Sequence, residues 1–483
     1  MKIEFTGFVK KYKNILSMIN NFLQRRKWAR LFLLSIAIAA LVFLLLKYLD
    51  LVAFLGDRIS QEGVRLDYIK GFLWAIFLGL TISIWPVRSQ DKKAIVWIWA
   101  VKCFVMLFLM LFYEHHYETD AFGYFHQAGI KLTSWKAMFI GEVRPNIPVT
   151  IITKLHHFSF LNSFHATKVS FGMIGLLAIY IFYRGVVVFL RQEKPVLLYI
   201  FAFFPSILFW SSVIGKDPIV LFGVAVYCYG VIKWIRTGRL SSLIVMWLGI
   251  GIGVFIRSWL GLILGLPIFL VTFKAIKKKL VSKIVVSLLL IVTILFSVNK
   301  VMMTFGFKSF NELTRIANQR FVGFNRGGSM VEVESPIAKP EKVNLTVSEV
   351  NTGDNSNIRQ ARYSSFKDMI IFLPKGIFTV LFRPLPGDVK NAFGFLAGLE
   401  GAFLLILFVF AVKSLRWHKL LDPVVVWAIL LVGIWASLYA FISYNLGTIC
   451  RYRLQILPVF LGLLLYLAYG GDTQAILKDR RRR

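Results

Sequence analysis

Apolar residues in this chain come in long, nearly unbroken runs, separated by short polar breaks. From the N-terminus the runs cover 31–49, 71–87, 94–113, 165–190, 195–213, 218–235, 241–256, 258–273, 280–299, 395–412, 423–443 and 454–470. Runs of about 17 to 25 residues recur, enough to cross roughly 30 Å of hydrocarbon as a helix, whereas a buried core helix needs about 10 to 14. They lack the strict alternation of a barrel strand. Only helices and closed barrels satisfy the backbone in lipid, so the pattern predicts an all-α polytopic membrane protein with about twelve transmembrane helices.

Two stretches break the pattern. Residues 146–164 hold Lys154, His156 and His157 and are too polar to span, which predicts a re-entrant or interfacial segment. Residues 300–394 form one long loop. Its middle, 327–357, is rich in Ser, Asn, Glu and Pro and reads as flexible. Its flanks read as helices: Asn311–Phe324 with Arg315 and Arg320, and Lys367–Phe382 as an amphipathic helix at the interface. The organisation is then a basic segment (1–30), a membrane domain (31–299) carrying an acidic loop (114–164), the long loop (300–394), the last spans (395–470) and a basic tail (471–483).

Composition supports the membrane reading. A mean hydropathy of +0.69 over the whole chain does not describe a water-soluble domain. The formal charge of +33 invites a nucleic-acid reading, but the basic residues sit in short loops rather than on one face with aromatic platforms. They fall in every second connection: Lys10 to Arg30, Arg88 with Lys92 and Lys93, Arg184 with Arg191 and Lys194, Lys233 with Arg236 and Arg239, Lys274 to Lys279, Lys413 with Arg416 and Lys419, and the tail ending at Arg483. By the positive-inside rule these connections are cytoplasmic, both termini are inside, and a plasma-membrane location with no nucleic-acid partner is expected. The three cysteines, Cys103, Cys228 and Cys450, show no metal-ligand spacing and predict no disulfide framework. The first apolar run reads as a membrane helix, not a cleavable leader.

The opposite face then receives 50–70, 114–164, the turn at Lys216–Asp217, the break at Arg257, the long loop and the turn 444–453. Chemistry-bearing residues gather there. Glu114–Ala128, EHHYETDAFGYFHQA, holds three acids and three of the seven histidines. Asp120, Tyr124 and Ala128 share one helical face, with Glu118 just upstream. A carboxylate pair at a membrane–water interface can take the proton of an acceptor hydroxyl, which makes Asp120 and Glu118 the candidate catalytic residues. Tyr124 and His126 join as substrate contacts. The histidines match no metal motif, so no cofactor is assigned, a divalent cation being the alternative use of that cluster.

In Phe204–Pro218, Asp217 and Pro218 cap the next helix, and Lys216 beside its N-terminus makes a phosphate seat. Arg257 interrupts an apolar stretch, and an arginine there faces a cavity or a partner. Arg383 in LFRPLPGD would lie at headgroup level, with Glu400 near the first turn of the next span. Arg451 and Arg453 follow Asn445 in the last outer turn, and guanidinium forks pair well with phosphate. A carboxylate ringed by cations on the outer face suits an anionic, lipid-borne substrate and a hydroxyl acceptor; a polyprenyl-phosphate sugar donor meets these terms.

TDAFGYFHQA, PSILFWSSVIGKD, LFRPLPGD followed by Glu400, and NLGTICRYRLQILP together resemble the GT-C superfamily of integral-membrane glycosyltransferases, of the bacterial cell-surface polysaccharide type. The pattern spans roughly 114–458 in short pieces. The resemblance implies a GT-C-like fold, an undecaprenyl-phosphate-type donor, an extracytoplasmic site and inverting transfer to a glycan, lipid or protein hydroxyl. Asp120 would match the family's catalytic acid, and Lys216, Arg257 and Arg451 would contact phosphate. Two features depart from the pattern: the acid loop follows the third candidate span instead of the first, and its acids are Glu–Thr–Asp instead of adjacent. The long loop with Arg315, Arg320 and Arg326 is also similar to O-antigen polymerases and ligases, which use lipid-diphosphate-linked glycans. A transporter or flippase for lipid-linked sugars would place its polar groups near the midplane, where this chain has little beyond Lys102.

Overall fold

The computed structural model describes residues 47–56, 63–117, 119–130, 146–159, 161–275, 280–305, 366–389, 391–441 and 446–469. Glu118, the span expected at 31–46, Asn445 and the loop segment with Arg315, Arg320 and Arg326 lie outside them. The chain divides at Leu66/Asp67 into two units. In the first, a short helix covers 47–55 and Asp50 pairs with Arg65 at 2.6 Å.

Among the described residues, the regular elements of the second unit are all helices. Its helices are α1 (Val64–Thr81, beginning at the junction), α2 (Ser89–His116, with a π-helical turn at Val105–Leu109), α3 (Asp120–Ile130), α4 (Ile147–Phe158), α5 (Phe164–Leu190), α6 (Pro195–Phe203), α7 (Pro205–Trp210) and α8 (Lys216–Thr237). They continue as α9 (Ser241–Ile256), α10 (Leu260–Ala275), α11 (Leu280–Phe305), α12 (Phe366–Phe382), α13 (Ala392–Lys413), α14 (Pro423–Tyr439), α15 (Leu446–Arg453) and α16 (Leu457–Tyr469).

Among the described residues, five helices are long and apolar enough to cross a membrane: Val64–Ile84, α2, α5, α8 and α13. A sixth arises if α15 and α16, bent by 72°, count as one span. The chain is thus a membrane protein, and α13 shows why. It exposes Phe395, Leu396, Leu399, Phe403, Ile406 and Phe410, a face that suits hydrocarbon and not water. The twelve-span expectation meets shorter elements elsewhere. α9 has 16 residues and α14 has 17, so each reaches only about 25 Å at 1.5 Å per residue. The run expected to span as 195–213 is two short helices. Pro205 has no N–H to continue α6, and Phe204 takes the extended conformation favoured before proline. Glu400 of α13 fastens this break, its Oε2 accepting the Ser206 backbone N–H at 2.7 Å.

Local chemistry sets the helix ends. Ser163 Oγ caps α5 by accepting from Ala166 N at 3.0 Å, Asn391 caps α13 and Asp422 caps α14 ahead of Pro423. Gly238, at φ 74°, ends α8 in the left-handed region. α8 packs closely on α9, where Gly230 faces the Met246 backbone and Gly249 faces that of Tyr227, leaving no room for a Cβ. Behind them Trp427 Nε1 donates to Tyr227 Oη at 2.9 Å, and Tyr227 Oη donates to the Leu264 carbonyl at 2.6 Å, tying α8, α10 and α14 together.

The helices share two ends. At one, Arg184 bonds Glu193 at 2.9 Å and lies 3.6 Å from Asp91, Arg88 pairs with Glu193 at 2.5 Å, and Arg236 pairs with Asp422 at 2.7 Å while covering the Phe189 ring. The basic groups expected to be cytoplasmic at Arg88, Arg184 and Arg236 therefore share an end. The start of α8, the end of α9 and the start of α5 lie at the other.

Candidate active site

α3 is held from two sides. His157 Nε2 bonds the Phe125 carbonyl at 2.9 Å, and Phe122 stacks on Phe164 at 5.1 Å. This presents Asp120 in the first turn of α3, with Tyr124 one turn on along the same face. Lys216 and Asp217, expected in a turn, form the first turn of α8 instead; the turn itself is Ser211–Gly215. A carboxylate at Asp217 is favoured there by the helix dipole.

Arg451 joins these elements. Its Nη1 donates to Asp120 Oδ2 at 2.8 Å and its Nε to Asp217 Oδ2 at 2.5 Å. Arg257, in extended conformation between α9 and α10, donates from Nη2 to Asp217 Oδ1 at 3.4 Å. Its guanidinium lies 4.2 Å over the Tyr452 ring, and that of Arg451 lies 5.8 Å from the Trp210 ring. Lys216 is within electrostatic range of both arginines and both carboxylates. A Cβ at Gly215 would touch both Arg451 and Tyr124. Thus Asp120, Tyr124, Lys216, Asp217, Arg257 and Arg451 converge from four separate parts of the chain.

The members differ in access. Asp217 and Arg257 are buried, whereas the Asp120 side chain is 59% exposed and can meet a substrate from water. Burial, then the neighbouring Asp120 charge, push the Tyr124 phenol up to about 12, so it stays protonated and able to donate. One buried donor, Arg257 Nη1, has no hydrogen-bond partner among the described residues. The arrangement offers one accessible acceptor beside a row of cationic donors.

Three sequence candidates are not brought together with these. His126 is exposed and stands about 240° round α3 from Asp120. Arg453, two residues after Arg451, points to the other side of α15: its Nη2 donates to the Arg383 carbonyl, and Glu400 lies within electrostatic range. Arg383 pairs through Nε and Nη2 with Asp388 at 2.8 and 2.7 Å. These two arginines bind protein groups. Burial opposes ionisation of Asp388, but the Arg383 hydrogen bonds and charge outweigh it and hold the carboxyl below its usual range. A lowered folded value stabilises above the unfolded pKa and is lost as pH falls through the folded one. Asp388→Asn should therefore cost about 1–2 kcal/mol near neutral pH. The gap to wild type should shrink as pH drops below the ordinary carboxylate range, read by thermal unfolding in detergent.

No family model, curated protein or solved structure matches this chain.

Sequence reasoning missed the groups that support the site. Lys102, fully buried in α2, donates to Ser211 Oγ at 2.6 Å, Ser212 Oγ at 2.8 Å and the Ser211 carbonyl at 3.2 Å, holding the turn before Lys216. Glu114, expected in a loop, lies in the last turns of α2 and pairs with buried Lys168 at 2.5 Å. Asp67 of α1 accepts from Phe164 N at 2.8 Å and His165 Nδ1 at 2.6 Å, fixing the start of α5. The available signal was the same for all: an ionisable residue in an apolar span needs a partner. Among the described residues, no three His, Cys, Asp or Glu side chains group as a metal site requires.

Proposed function

We propose that this protein is an integral-membrane glycosyltransferase of the GT-C type, moving a sugar from a polyprenyl-phosphate-linked donor to a hydroxyl acceptor at the extracytoplasmic face of the plasma membrane, in cell-surface polysaccharide biosynthesis. About twelve spans and cytoplasmic termini belong to this reading. The observation that carries it is the convergence of an accessible carboxylate, Asp120, with Lys216, Arg257 and Arg451 at one end of the helices. The basic groups at Arg88, Arg184 and Arg236 lie at the other end, and the positive-inside rule makes that end cytoplasmic.

In this mechanism Asp120 accepts the proton of the acceptor hydroxyl as its oxygen attacks the anomeric carbon from the face opposite the phosphate. The new C–O bond forms while the bond from the anomeric carbon to the phosphate oxygen breaks. The electron pair leaves with the lipid phosphate, whose growing charge meets the guanidinium and ammonium groups. Inversion follows from the single displacement, and the protonated Tyr124 can donate to a sugar or phosphate oxygen.

Arg257→Ala tests the cationic wall. Loss of a charge-assisted hydrogen bond should raise the donor KM about 10- to 100-fold, with a smaller fall in kcat. The check is steady-state turnover of undecaprenyl-phosphate-linked hexoses by the full chain in lipid nanodiscs. An unchanged KM would remove Arg257 from donor binding.

A further inference from the structure

We propose that Asp217 sets the charge of the ligand this site accepts, selecting a singly charged phosphodiester headgroup over a diphosphate. The inference rests on the reading that the cluster receives the donor phosphate, and adds to it a residue that decides which phosphate.

Asp217 and Asp120 are held in different ways. Both Asp217 oxygens are committed, Oδ2 to Arg451 Nε at 2.5 Å and Oδ1 to Arg257 Nη2 at 3.4 Å, and the side chain is 4% exposed. An entering anion cannot displace it without stripping two guanidiniums of their shared partner. Asp120 is exposed and makes one bond to Arg451, so it can swing toward an acceptor while the arginines stay in place. Asp217 is thus a built-in countercharge.

The charges then count simply. Among the described residues, Lys216, Arg257 and Arg451 face Asp120 and Asp217, which leaves one positive charge in the cluster. A phosphodiester monoanion, the headgroup of a lipid–phosphate–sugar, neutralises it. A diphosphate brings further negative charge beside two carboxylates in a partly desolvated site. The buried Arg257 Nη1, without a partner among the described residues, supplies a donor for the first anionic oxygen. Arg383 is held by Asp388, and Arg453 turns to the other side of α15 to donate to the Arg383 carbonyl, so neither joins the cluster. One unit charge roughly 6–12 Å away, the range from Asp217 to an anion beyond the guanidiniums, changes affinity by on the order of 10- to 100-fold at an effective dielectric near 20.

The test measures binding of two radiolabelled probes, methyl farnesyl phosphate (a monoanionic diester) and farnesyl diphosphate, to the full chain in neutral-lipid nanodiscs. Wild type should prefer the diester. Asp217→Asn should shift the affinity ratio toward the diphosphate by about 10- to 100-fold, and Asp217→Glu should keep the wild-type ratio. Lys216→Gln removes a positive charge and should move the ratio the other way, so the proposal stays testable where Asp217→Asn fails to fold. Binding of both probes with a ratio unmoved by either charge change would overturn the inference and leave the anion site standing. If neither probe binds wild type more tightly than Arg257→Ala, the phosphate reading itself fails, and the inference with it.

Discussion

Asp120→Asn should lower the turnover number by about 10²- to 10⁴-fold, the range that a positioned general base contributes. Asparagine keeps the size of the side chain and an oxygen able to accept from Arg451 Nη1, but it cannot take a proton. Because Asp120 is 59% exposed and stands at the rim of the cluster, the change should leave folding nearly untouched. The effect should therefore appear in kcat and not in expression or detergent stability, and donor KM should not rise, since the change removes a negative charge from the cluster. Donor KM is the useful control, since the phosphate is held by Lys216, Arg257 and Arg451 in this account. A variant that turns over at the wild-type rate would remove Asp120 from the chemistry, and a loss confined to KM would recast it as a binding group.

Lys168→Met should destabilise the protein by about 3–5 kcal/mol, the cost of leaving one member of a buried ion pair without its partner. Lys168 is fully buried, Glu114 is nearly so, and their 2.5 Å contact joins the start of α5 to the end of α2. Methionine fills most of the volume, so the loss comes from the stranded Glu114 carboxylate and not from a cavity. The double variant Glu114→Leu/Lys168→Met should recover most of the stability, because a matched apolar pair avoids the desolvation both charges suffer. Unfolding in detergent, followed for the single and double variants, reads the difference. Equal stability of Lys168→Met and wild type would mean that the pair does not hold the two helices together. Since the chain passes from the end of α2 into the Asp120 segment, the single variant should also reduce turnover while the double variant retains part of it.

Much of the helical framework was legible because long apolar runs leave one solution in lipid. The break at Phe204 was legible too, in Pro205, but a continuous apolar composition masks a proline stop. The site was legible in part. Arg257 stands out against its apolar surroundings, and Asp120 with Tyr124 stands out by spacing. Their convergence was not legible, because Arg451 and Asp120 are 331 residues apart and no local pattern records a pairing of that range. Arg383 and Arg453 show the converse case. Each resembles a phosphate-binding arginine by type and position, yet Arg383 is paired with Asp388 and Arg453 donates to the Arg383 carbonyl. Lys102 looked like an isolated charge in a span and is the support beneath the Ser211–Gly215 turn.

The most direct measurement places the purified chain in proteoliposomes with a panel of undecaprenyl-phosphate-linked hexoses and pentoses and a polysaccharide acceptor, and follows release of undecaprenyl phosphate by mass spectrometry. Wild type should convert at least one panel member, and Asp120→Asn should convert none at a comparable rate. Conversion of no panel member, or equal conversion by the two proteins, would contradict the account.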